Sequence, residues 1–186
     1  MRTPEDIATD PDALIRVATV ASVDLAQGTC TVMLDATDGV ETHGLRWVHP
    51  RMGETKVWCP PTVGEQVLVL CPGGEIGAAL VLGGIHSNAN PPPIDEPVPL
   101  IRFSDGASLS YDPQAHELLL QLPGGATTVL VSDGGIDLVG DVAITGDCAV
   151  SGTLTAQNDV IGGGKSLKTH VHGGVAAGGS QTGAPV

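Results

Sequence analysis

Between Ile136 and Lys165 the chain reads IDLVGD, VAITGD, CAVSGT, LTAQND and VIGGGK, five six-residue units in unbroken register. The first position runs Ile136, Val142, Cys148, Leu154, Val160, and the third runs Leu138, Ile144, Val150, Ala156, Gly162. Residues two apart on an extended chain share a face, so each unit offers a narrow apolar strip. The fifth position (Gly140, Gly146, Gly152, Asn158, Gly164) holds residues that tolerate positive φ and turn a chain sharply. Asp141, Asp147, Thr153, Asp159 and Lys165 place a polar side chain at each corner. A period of six with a turn in every unit describes a coiling β structure whose units hide their apolar strips only by stacking. Five units are too few to close a one-chain helix and leave both ends open. Three chains wound about one axis supply three copies of every unit and close a prism, so the pattern predicts a homotrimer.

Composition agrees with an extended β architecture. The 186 residues include 26 Gly and 14 Pro but only one Phe, one Tyr and two Trp, too few aromatics for several ordinary globular cores. A formal charge of −13 without a Lys/Arg cluster repels phosphate backbones and argues against nucleic-acid binding. Cys30, Cys59, Cys71 and Cys148 show no close CxxC spacing and read as buried, reduced thiols. Neither a secretion signal nor a membrane-length apolar run is visible, so a membrane would be met only after folding.

Working outward from the hexads, the expected organisation is a tether over residues 1–13, a barrel over 14–87, a junction over 88–99, an upper prism over 100–135, the hexad β-helix over 136–168 and a tip over 169–186. LIRVATVASVD from Leu14, TCTVMLDA from Thr29, GLRWVHP from Gly44, a turn around Pro60 to Gly64, a strand over Gln66 to Leu70 and another over Ala79 to Leu82 alternate as short strands. Four or five such strands in about seventy residues fit a small closed barrel of the oligonucleotide/oligosaccharide-binding (OB) fold. Pro91, Pro92, Pro93, Pro97 and Pro99 make the junction stiff. LIRFSDGASLSYD, HELLLQLPGG and TTVLVSDGG then read as strands separated by Asp-Gly, Asp-Pro and Gly-Gly turns. The expected class is all-β, an N-terminal OB-fold barrel followed by a trimeric intertwined β-helix or β-prism spike.

Candidate chemistry is sparse. His43, His49, His86 and His116 lack metal-ligand spacing, and the CPGGEIG run from Cys71 reads as a hairpin turn, because no Gly-Lys-Ser/Thr and no helix follow it. Asp141, Asp147 and Asp159 read as solvating corners and Glu65 as a turn residue, so no acid–base pair stands out and no catalytic residue is assigned.

GLRWVHP, VWCPPTVGEQVLVLCPGG and VLGG, followed by the hexads, SLKTHVHGG and the tail TGAPV, resemble the baseplate assembly protein V family, the central spike of contractile-tailed bacteriophages. The resemblance runs from about Leu14 to Val186. It implies a homotrimer at the tip of the virion tail baseplate, assembled in the host cytoplasm, docked to a hub protein beneath the tail tube, and breaching the host outer membrane when the sheath contracts. It also implies no catalytic activity in a chain this short, and an iron ion on the three-fold axis held by the HxH pair, here His170 and His172. Residues i and i+2 of a strand face one way, so three chains bring six imidazole nitrogens around one point, a set suited to one octahedral Fe(II) per trimer. The competing expectation is a carbohydrate-binding or surface-polymer-degrading tail module, which needs an aromatic-lined groove and paired carboxylates.

Overall fold

The computed structural model describes residues 13–34, 39–171, 173–174 and 178–179. The tether expected over residues 1–13 lies outside them except for Ala13. The chain divides into two units, residues 1–128 and 129–186.

The first unit opens with β1 (Ile15–Asp24) and β2 (Thr29–Leu34), an antiparallel hairpin. Its turn is set locally, because Asp24 Oδ1 accepts the Ala26 and Gln27 N–H groups at 2.9 and 3.0 Å and Gly28 takes φ +63°. A short β3 (Val40–Glu41) pairs antiparallel with the end of β2, and β4 (Leu45–Trp47) pairs with its other end through Thr29↔Arg46 and Cys30↔Leu45. β5 (Gln66–Leu70) lies between β1 and β6 (Leu80–Ile85) and is antiparallel to both. The ring closes where β4 meets β6 in parallel, Arg46↔Leu80 and Trp47↔Val81. A closed five-stranded ring with one parallel pair is the OB barrel. Closure also protects every strand except the ends that outrun a neighbour.

The core follows the period of two. Ala18 and Val20, Cys30 and Val32, Leu45 and Trp47, Val67 and Val69, and Ala79 and Val81 all point inward and are buried, with Cys71 beside them. Glu65 closes the turn before β5. Its Oε2 accepts the Thr62 N–H at 2.9 Å, Gly64 takes φ +86°, and the Gly64 N–H and Glu65 carbonyl clamp Val20 at 2.9 Å each. The CPGGEIG run forms two consecutive 3₁₀ turns, Pro72–Gly74 and Ile76–Ala78, as expected of a connection rather than a phosphate loop.

Beyond the proline-rich junction, β7 (Leu100–Arg102), β8 (Ser108–Asp112) and β9 (Glu117–Gln121) form an antiparallel sheet. The β7–β8 turn uses Asp105 Oδ1 as acceptor for the Ala107 N–H and Gly106 at φ +92°. In the β8–β9 turn Asp112 Oδ1 accepts the Gln114 and Ala115 N–H groups. TTVLVSDGG differs from expectation, since residues 127–131 form no strand ladder among the described residues. Alternation made the segment extended, but a ladder needs a neighbour.

Two cysteines also depart from the buried reading. Cys30 and Cys71 are buried, whereas Cys59 and Cys148 are exposed in the single chain. Burial, with the Glu65 carboxylate adding to it, pushes the Cys30 thiol pKa up, which keeps this sulfur protonated and unreactive.

Candidate functional site: the hexad column and the tip

Residues 129–159 contain no strand ladder among the described residues, and both apolar columns stand in solvent. Ile136 is 52% exposed, Leu138 70%, Val142 61%, Ile144 62% and Leu154 72%. So many aliphatic side chains lined up without a partner make a contiguous patch that a lone soluble chain rarely shows, and the patch marks an interaction surface. Gly140 and Gly146 turn the corners with φ +131° and +123°, while Gly152 and Asn158 turn without positive φ. Asp141 and Asp147 sit exposed at corners, as solvating residues do.

The fifth unit leaves the column. Val160 to Lys165 folds into a hairpin, with β10 (Ile161–Gly162) against β11 (Lys165–Ser166). Three consecutive glycines remove the third-position side chain, and Gly163 and Gly164 at φ +55° and +76° reverse the chain as a two-residue turn of the I′ kind does. The stretch without a ladder therefore runs to Asp159 in the single chain, and a hairpin follows it.

That hairpin is the base of the tip. Asp159 Oδ1 accepts the Val160 N–H at 2.8 Å and reaches nine residues ahead to the Lys168 N–H at 3.1 Å. Thr169 donates both its N–H and its hydroxyl to Ser166 Oγ at 3.0 Å, which leaves the Ser166 proton for the Asp159 carboxylate. The Ser166 bond first, and then the backbone donors, hold the Asp159 carboxyl below its usual pKa. The Ser166 carbonyl accepts the His170 N–H at 3.1 Å and lies 3.0 Å from His170 Nδ1. A carbonyl can only accept, so Nδ1 donates this bond and the ring is fixed by it. His170 is thus aimed by a turn rather than by the strand expected from the HxH spacing. His172 lies outside the described residues.

Within one chain no cluster of three His, Cys, Asp or Glu suited to a metal occurs among the described residues. His43, His49, His86 and His116 remain apart from the tip in sequence; His116 is the one non-glycine residue with positive φ (56°) among the described residues, at the β8–β9 turn. Sequence reasoning missed Asp159, Ser166 and Thr169 as the scaffold of His170, although the S-x-x-T spacing just before the histidine is a local turn signal.

Comparison with known proteins accounts for the three parts in order. Residues 10–86 match the type VI secretion system/phage-baseplate injector OB domain, residues 99–162 the Gp138 beta helical trimerization domain, and residues 166–186 the GpV Apex motif. The spike protein of Escherichia phage P2 is 33% identical over 202 residues, an alignment covering 93% of this chain and 92% of that protein. The chain belongs to the phage baseplate spike family. As a spike of that family it is a structural homotrimer and a baseplate component of the virion. The solvent-facing columns lie within the stretch that matches the trimerization domain. A carbohydrate-binding or polymer-degrading module is not favoured, because barrel, trimerization domain and apex motif follow one another across the chain.

Proposed function

We propose that this spike is the piercing point of its tail, driven through the host outer membrane by sheath contraction and acting mechanically, without catalysis. The observation that carries the reading is the unladdered apolar column of residues 136–159, which requires three chains to bury it and which leads directly to a hydrogen-bonded tip. Three interlocked strands distribute an axial load over many backbone hydrogen bonds and close all strand edges. The barrel is the base: its closed, well-packed ring suits docking to the hub protein beneath the tail tube, with assembly in the host cytoplasm before release.

We also propose that His170 and His172 of the three copies hold one iron ion on the three-fold axis. The bond from His170 Nδ1 to the Ser166 carbonyl supports this assignment, because it fixes the ring as the second nitrogen of a metal-ligating histidine is commonly fixed. Six protein nitrogens leave no open coordination position, so the ion's role is to staple the chains where apolar packing ends. Separated chains offer two ligands each, so the ion stabilises only the assembled trimer. Metal analysis of untagged trimers is expected to give one iron per three chains, and the His170→Ala, His172→Ala double variant to lose it while remaining trimeric. Particles carrying that variant should adsorb but release less periplasmic enzyme from the host on contraction. A stoichiometry of one metal per chain, or iron retained by the double variant, would overturn the assignment; unimpaired outer-membrane breach would overturn the stapling role.

A further inference from the structure

The barrel wall has one open stretch. β4 accompanies β6 only through Arg46↔Leu80 and Trp47↔Val81, and the Val48 N–H closes the pairing on the Val81 carbonyl at 2.8 Å. Past Val81, β6 continues to Ile85 with β5 on one side and, among the described residues, no backbone partner on the other. Leu82, Gly83 and Gly84 line a cleft of about 430 Å³ together with Trp47, His49 and the Cys59–Pro61 segment.

Three features of this cleft are unexplained by the barrel's own stability. Trp47 is 7% exposed, yet its indole Nε1 has no acceptor among the described residues. His49 Nδ1 is likewise buried without a partner, in a ring held 5.5 Å from Trp47 and stacked 5.2 Å from Trp58 at an interplanar angle of 19°. The Trp47 indole N–H can only donate, and buried donors normally find acceptors, so it points to an absent one, with His49 Nδ1 a second unpaired polar atom beside it. Finally, Gly83 is the extra residue of a bulge, since Val67 faces Gly84 and Leu68 faces Leu82. At Gly84 a Cβ would fall 2.6 Å from Glu65 Oε1, so a side chain there would push the carboxylate aside; at Gly83 a Cβ meets nothing within 4 Å and φ is ordinary. A strand glycine that its own fold does not require, on an open edge, leaves room for another backbone.

We infer that this cleft receives an extended segment of the baseplate hub, added as a strand to the free edge of β6. The segment places a backbone carbonyl on the Trp47 indole N–H and a Lys or Arg against Glu65. Main-chain bonds to the open edge supply affinity, and the partly exposed apolar lining at Leu82, Pro60 and Pro61 selects the side chains. Glu65 is the one carboxylate lining the cleft and no Lys or Arg lines it, and the chain as a whole carries −13, so charge favours a basic partner strand. A second copy of this chain fits poorly, because its unladdered extended stretch from Thr127 to Asp159 contains acids and no Lys or Arg.

This inference rests on the reading that the barrel docks to the hub, and the experiment separates the two. Full-length trimers bind immobilised, purified hub protein of the same tail in biolayer interferometry, and hydrogen exchange is followed with and without hub. Expected is slowed exchange over residues 82–85 in the complex and, for Gly83→Val, hub affinity weakened by roughly tenfold or more with unchanged trimer mass and melting temperature. If wild-type trimer does not bind hub, the docking polarity fails and this inference with it. If wild type binds while residues 82–85 exchange as fast as in the free trimer, the cleft assignment alone fails, whatever Gly83→Val does. Equal binding by a folded Gly83→Val trimer overturns it independently.

Discussion

Replacing Ile144 by alanine tests whether the solvent-facing column is the trimer's core. Ile144 is 62% exposed in the single chain, so rather more than half of its burial remains to be gained on assembly. Full burial of such a side chain is worth about 1.5–3 kcal/mol, which gives roughly 1–2 kcal/mol per copy for Ile144 and about 3–6 kcal/mol per trimer, before any cavity cost. Dissociation to three chains should then become about 10²–10⁴-fold easier. The assay is sedimentation equilibrium across a guanidinium series, paired with iodoacetamide labelling of Cys148, which lies in the neighbouring unit's first position. Cys148 is exposed in the lone chain and should be protected in the trimer, so its labelling should rise at the denaturant concentration where mass falls, and that point should move down in Ile144→Ala. Cys59 should label throughout, and buried Cys30 and Cys71 only when the barrel unfolds. Asp141→Ala, at an exposed corner, is the control and should change little. Equal dissociation for Ile144→Ala and Asp141→Ala, or rapid labelling of Cys148 in the intact wild-type trimer, would refute the reasoning.

His116 occupies a left-handed conformation at φ 56°, which costs a side-chain-bearing residue about 1 kcal/mol, so His116→Gly should stabilise the β8–β9 hairpin by roughly 0.5–1 kcal/mol per chain in denaturant unfolding; a loss of stability would show that the imidazole contributes contacts of its own. At the tip, the Asp159 carboxyl lies below its usual value of 3.8, so its contribution is fully present above that value and is lost as pH falls through the lower folded-state value. Exchange of the Val160 and Lys168 amides, read after acid pulses, should accelerate relative to barrel amides only in that acidic range, and acceleration near neutrality would assign the protection to another group.

Periodicity made much of this molecule legible. The alternation in LIRVATVASVD, TCTVMLDA and GEQVLVL marked the buried faces that the barrel uses, because which face a residue takes depends on its neighbours two positions away. The hexads required three chains for the same reason: two apolar columns repeating over short units cannot be hidden by one copy. What local pattern does not carry is the identity of the strand on the other side. The parallel closure of β4 on β6, the early end of that pairing at Val81 and the open edge beyond it depend on how far two strands distant in sequence stay together. TTVLVSDGG reads as a strand from its alternation, and the single chain leaves it without a ladder, since its alternation is local and a ladder partner is not.

The amino-acid sequence by itself determined the all-β class, the order of barrel and trimerization column, and the trimer, because each is written as spacing along the chain. Only the tertiary structure decided that the fifth hexad folds back as a hairpin, that Asp159, Ser166 and Thr169 orient His170, and that Trp47, His49 and Trp58 gather beside an unpaired strand edge. These depend on backbone reversal at successive glycines and on contacts between residues far apart in the chain, and neither leaves a period to read.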